Sequence, residues 1–166
     1  MKLEKYKLFW KSEKENKKVV KLLGWNEEKQ DYYTFVKECV DRGYHQISIT
    51  GEIMLAIIEK LATNININIS KIEIMEEDYE EGNQLKSMVD MFRTNRAVLV
   101  DIVKTLRYLE DESSIEIKKV TFDDVKNKNI LFIQVNGLIG TSNIQSNIEQ
   151  DIINLIKEYI NRWKSV

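Results

Sequence analysis

Between Asn83 and Ser114 the chain has neither glycine nor proline, and Leu85, Met88, Phe92, Asn95, Leu99, Ile102, Leu106 and Leu109 step alternately by three and four residues. Only a helix brings positions so spaced onto one stripe. The spacing predicts a long central helix over about 84–110. A break is the alternative, with Thr94 or Asn95 capping a second helix. The flanks of the stripe are largely Val89, Met91, Val98, Val103 and Thr105, with Arg96 the exception, not the charges that a two-stranded coiled coil wants beside its seam. So wide an apolar face belongs inside a core, or it shares its surplus with a second copy of the chain. In a homodimer through this helix, Asn95 would need a hydrogen-bond partner across the axis.

Around that helix the periodicities alternate. Tyr6, Leu8 and Trp10 interleave with Lys5, Lys7 and Phe9, the period of a strand. Residues 12–24 read two ways: Ser12 and Glu15 form a capping box for a short helix, while a hairpin returning through Val19 to Trp25 fits as well. A helix is expected from Asn26 to Gly43, a short strand over His45–Thr50, and a buried helix over Glu52–Ala62 capped by Thr50. Asn64 to Met75 alternates with a change of phase near Ser70, as a bulged strand does. The acidic run from Glu76 closes as a loop at Gly82. Ser114–Phe122 and Asn129–Asn136 predict an antiparallel hairpin, and Ile148 to Trp163 an amphipathic C-terminal helix.

This order predicts an α+β fold with a mixed sheet of about four to six strands, a hairpin in the C-terminal half, the long central helix and the terminal helix. The 166 residues suit one domain spanning 1–166. No run reaches the ~20 apolar residues of a membrane span, and lysines occupy the place of a secretory h-region. Cys39 alone allows no intramolecular disulfide, so the expected location is the cytoplasm.

Few residues offer chemistry. His45 is the only imidazole and Cys39 the only thiol, too few ligands for a structural zinc, and Cys39 shares the apolar spacing of Val36 and Val40. Glu116 and Lys118, with Asp111 upstream, make an E-x-K pattern that resembles the PD-(D/E)xK nucleases. The resemblance implies carboxylates holding Mg²⁺ and a lysine positioning water. No Pro-Asp precedes it and Asp111 is only five residues away, so an outer strand face is the simpler reading. Asn136 to Ser142, with two glycines, could approach a phosphate but lacks the lysine of a P-loop. Arg93, Arg96, Lys104 and Arg107 project from the long helix, and residues 1–21 hold eight lysines against Glu4, Glu13 and Glu15. Such charge with nearby aromatics can bind nucleic acid, although the chain as a whole carries a net charge of −2.

The residues therefore point away from an enzyme. They favour a cytoplasmic interaction or regulatory module, of the immunity type among others, that binds another macromolecule, foremost a protein. No cofactor, metal or membrane is expected. The alternatives are a nucleic-acid-associated protein of a mobile element, using the N-terminal lysines with Arg93, Arg96 and Arg107, and a metal-dependent nuclease built on Asp111, Glu116 and Lys118.

Overall fold

The computed structural model describes residues 2–75, 79–113, 116–143 and 148–163. The fold is α+β, and among the described residues every strand joins one antiparallel sheet. In chain order the elements are β1 (Glu4–Ser12), β2 (Lys18–Trp25), α1 (Tyr32–Asp41), β3 (His45–Gln46), α2 (Gly51–Ala62), β4 (Ile67–Ile74), α3 (Tyr79–Phe92), α4 (Leu99–Ser113), β5 (Ile117–Asp124), β6 (Asn129–Gln134), β7 (Leu138–Thr141) and α5 (Ile148–Trp163). The strands lie in the order β2-β1-β7-β6-β5-β4, and β3 extends the β7 side of β1. Seven antiparallel strands thus replace the mixed sheet of fewer strands that the residue pattern predicts. The extra one is β7. Its Leu-Ile-Gly-Thr reads as a connector, yet pairing with both β1 and β6 makes it a central strand.

Residues 12–24 resolve as a hairpin. A single 3₁₀ turn at Lys14–Asn16, with Glu15 at φ 67°, reverses the chain, and Val19, Val20 and Leu22 then pair with β1. β-branched residues gain more from a paired strand than from a short helix. Helix α1 starts later than the Asn26 cap implies. Asn26 closes a separate turn, and Asp31 is the cap, its Oδ1 accepting from the Thr34 N–H at 2.8 Å. Thr50 precedes α2, but its side chain makes no cap bond; its carbonyl accepts from Met54. In β4 the phase change is real, with a register shift between Ile69 and Lys71. Helix α3 already includes Gly82, so the acidic loop is shorter than expected; Glu76 to Asp78 lie outside the described residues.

The predicted long helix is two helices. After Phe92 the chain turns, and a 3₁₀ segment at Arg96–Val98 leads into α4. Asn95 stops the first helix and caps the next, its Oδ1 accepting from the Ala97 N–H at 3.2 Å. The stripe keeps its spacing across the break because both helices turn it inward. Leu85, Phe92, Ile102, Leu106 and Leu109 are all buried in the main core. Asn95 is thereby satisfied within its own chain, and the apolar stripe is used internally.

The two sheet faces are unequal. Leu8, Val20, Ile69, Val120, Phe122, Ile133 and Ile139 meet α2, α3, α4 and α5 in the large core. Since successive strand residues point to opposite faces, Lys7 and Phe9 face the other way, where α1 supplies Phe35 and Cys39 to a small second cluster. Gly137 permits the crossing of β1, β3 and β7: at φ 83°, a Cβ there would sit 2.4 Å from the Ile47 carbonyl oxygen. Gly140 is pressed equally hard by the Phe132 ring, 1.9 Å from where its Cβ would be.

Candidate functional site

The three residues of the nuclease-like pattern divide between two settings, Lys118 in one and Asp111 with Glu116 in the other. Lys118 occupies a register shift of β5, between Ile117 and Lys119, so it leaves the strand's regular alternation, and Glu116 precedes the strand. It lines an open cleft of about 460 Å³ between β4 and α3, together with Lys71, Glu73, Lys86 and Asp90. Glu116 is outside that lining, and Asp111 is exposed at the end of α4. Asp111 and Glu116 instead act on Glu110, whose pKa is raised first by burial and then by these two charges. The Glu110 carboxylate lies against the first residue of α2, with an oxygen 1.9 Å from where a Cβ on Gly51 would be. Among the described residues no group of three His, Cys, Asp or Glu side chains is arranged to hold a metal.

Cys39 and His45 are separated by the sheet. Cys39 is buried under α1, where burial pushes its thiol pKa up. His45 pairs with Trp10 and stacks on its indole at 4.0 Å, on the face of the main core. The glycine turn after β6 is not a phosphate cradle either. Within it the Gly137 N–H donates to the Gln134 carbonyl and the Leu138 N–H to Asn136 Oδ1, and beyond β7 the Oδ1 of buried Asn129 accepts from Thr141, Ser142 and Asn143.

The arginines have three different fates. Arg96 is a clamp: its guanidinium donates to Asn68 Oδ1 and to the carbonyls of Ala62, Asn64 and Ile67 at 2.7–2.9 Å, and it lies 4.1 Å from the Phe92 ring centre. Arg107 faces Glu59 at 3.4 Å. Arg93 is exposed in the link between α3 and α4.

Arg96 organises one end of the molecule. It ties the α3–α4 link to the turn between α2 and β4, and the Val125 N–H ties the β5–β6 turn to the same place by donating to Asn66 at 2.9 Å. Between Asn64 and Asn66, Ile65 stands 80% exposed, with Val125 beside the same turn 58% exposed. Met91, in the last turn of α3, is 52% exposed, and its carbonyl accepts from the Thr94 and Asn95 N–H groups of the link. Two large apolar side chains, Ile65 and Val125, are thus held outward on turns fixed by hydrogen bonds, and Met91 is exposed at the end of α3. Their neighbours along the chain are mostly amide and basic, Asn64, Asn66 and Asn127 with Arg93, Lys126 and Lys128, although Asp90 precedes Met91 and Asp123 and Asp124 precede Val125.

The opposite end of the sheet has another chemistry. At the tip of the β1–β2 hairpin, Lys11 and Arg42 both approach Tyr44, 4.8 and 5.3 Å from its ring centre. Lys18 lies 4.6 Å from Trp10, which also carries His45. Nearer the start of β1 the lysines have carboxylate partners: Lys2 meets Glu28, and Lys5 meets Glu27 at 2.5 Å.

Lys7 is not among the residues that the sequence pattern marks as candidates. Lys7 is fully buried beneath α1, its ammonium donating to the Asn136 carbonyl and lying 5.6 and 5.5 Å from the Phe9 and Tyr32 rings. Burial lowers its pKa to about 8. In a strand that alternates Lys5, Lys7, Phe9, nothing local marks the lysine that α1 will cover.

No family model, no curated protein and no solved structure matches this chain.

Proposed function

We propose that the protein is a non-enzymatic interaction module of the cytoplasm whose partner is another protein, and that it docks through the end built around Arg96. The reading rests on one observation: Ile65 and Val125 project into solvent from turns that are locked together, not from loose loops. Exposed apolar side chains cost solubility unless a partner covers them, and a preorganised surface loses little entropy on binding. An apolar centre with an amide and basic rim fits a partner that offers an apolar anchor inside an acidic margin. Arg93 belongs to that rim, whereas Arg96 positions it. Among the described residues no helix is long and apolar enough to cross a membrane.

The test is a photoreactive phenylalanine analogue placed at Ile65 in the living host. The expected result is a discrete protein adduct that disappears with Val125→Asp and is absent when the analogue replaces exposed Lys157 on α5. An adduct of twice the chain's mass would identify the partner as a second copy. Adducts identical from both positions would reject the docking end.

A further inference from the structure

We propose that the tip of the β1–β2 hairpin is a second binding site, for single-stranded nucleic acid. Four basic side chains converge on two rings there: Lys11 and Arg42 on Tyr44, Lys18 and His45 on Trp10. Among the described residues none of Lys11, Lys18 and Arg42 has an ion-pair partner, although Lys5 and Lys21 of the same hairpin do. Two cations sharing one tyrosine repel each other. A phosphate between them relieves that repulsion and releases condensed counterions from the strand.

The rings select the kind of polyanion. Trp10 and His45 are stacked at an interplanar angle of 14°, and His45 is exposed, so its outer face can extend the stack by one base. Acidic peptides and lipid headgroups gain nothing from that face. Geometry excludes a duplex as the better ligand. Trp10 packs toward the main core and Tyr44 toward α1, so the two clusters sit on opposite faces of the same strand end. A ligand touching both must bend across β3, which a single strand does readily and a duplex, stiff over ~150 base pairs, does not.

The experiment is fluorescence anisotropy of the full chain with a labelled oligothymidylate of about 12 nucleotides. With about three phosphates neutralised, affinity should fall about 20-fold between about 50 and about 200 mM salt. Lys11→Gln with Lys18→Gln should weaken binding at low salt by about 10-fold or more and flatten the salt dependence. His45→Ala should cost about 5-fold through lost stacking. Lys11→Arg with Lys18→Arg, keeping both charges, and Arg107→Gln, far from the tip, should each bind as the parent does. Far-UV spectra and unfolding midpoints establish that every variant is folded. Absence of binding at low salt, an affinity untouched by the double glutamine variant, or tighter binding of a duplex of equal length would overturn the proposal. So would equal competition by polyglutamate or phosphatidylserine vesicles with His45→Ala silent, which would mark a general acid-binding surface.

Discussion

The two ends of the sheet use cations in opposite ways. At the Arg96 end the guanidinium is consumed, satisfying three carbonyls and an amide oxygen that belong to the turn around Ile65. At the hairpin tip Lys11, Arg42 and Lys18 rest over aromatic rings, which satisfies none of their hydrogen-bonding capacity. A cation with fixed acceptors builds structure, and one lying on a ring stays available to a ligand. Lys7 falls between the two, since it has one carbonyl acceptor but is buried at a cost. The contrast explains why one end presents apolar side chains rigidly and the other presents charge.

The largest effect expected from breaking this contrast is at Arg96. Arg96→Ala strips the turn carbonyls of their donor and should lower stability by about 3 kcal/mol in urea unfolding, with Arg96→Lys recovering only part of it. Lys7→Met should act in the opposite direction, stabilising by about 2 kcal/mol near neutral pH, because a buried charge is replaced by an apolar chain of similar length. The pH dependence follows from the sign of the shift. The folded pKa of about 8 lies below the unfolded value of 10.5, so between them the unfolded state holds more protons and stability rises with pH. The advantage of Lys7→Met should therefore be largest below about pH 8 and shrink toward pH 10.

Smaller changes sharpen the comparison. Asn95→Ala removes the cap between α3 and α4 and should cost about 1 kcal/mol in the same unfolding assay. Lys18→Gln loses an exposed contact with Trp10 and should change stability by about 0.5 kcal/mol or less, while weakening any anionic ligand at the tip. If Lys18→Gln proved as damaging as Arg96→Ala, the distinction between structural and available cations would fail.

Much of the fold was legible in the residues because its signals are local. The alternation of β1, the bulge at Ser70, the β5–β6 hairpin and the apolar face of α5 need only neighbours to be read. What escaped depends on distant partners. The break at Asn95 was legible only as an alternative, because α3 and α4 both turn their stripe to the core and the apolar spacing runs unbroken through the cap. β7 is too short to declare itself without β1 and β6 on either side. The candidate site was legible only in outline. Arg93, Arg96 and Arg107 look alike on a predicted helix, but only the fold brings the carbonyls of 62, 64 and 67 to one of them. Ile65 sits in the N-I-N-I alternation of a strand, where nothing foretells that the strand begins two residues later and leaves it outside.

The most direct test of two ends with two kinds of partner is to place the photoreactive residue in turn at Ile65 and at Lys14, in the hairpin turn, and to treat each crosslinked sample with nuclease. The account predicts a protein adduct from position 65 that survives nuclease, and an adduct from position 14 that nuclease removes. The same adduct from both positions, or a nuclease-sensitive adduct at 65, would contradict it.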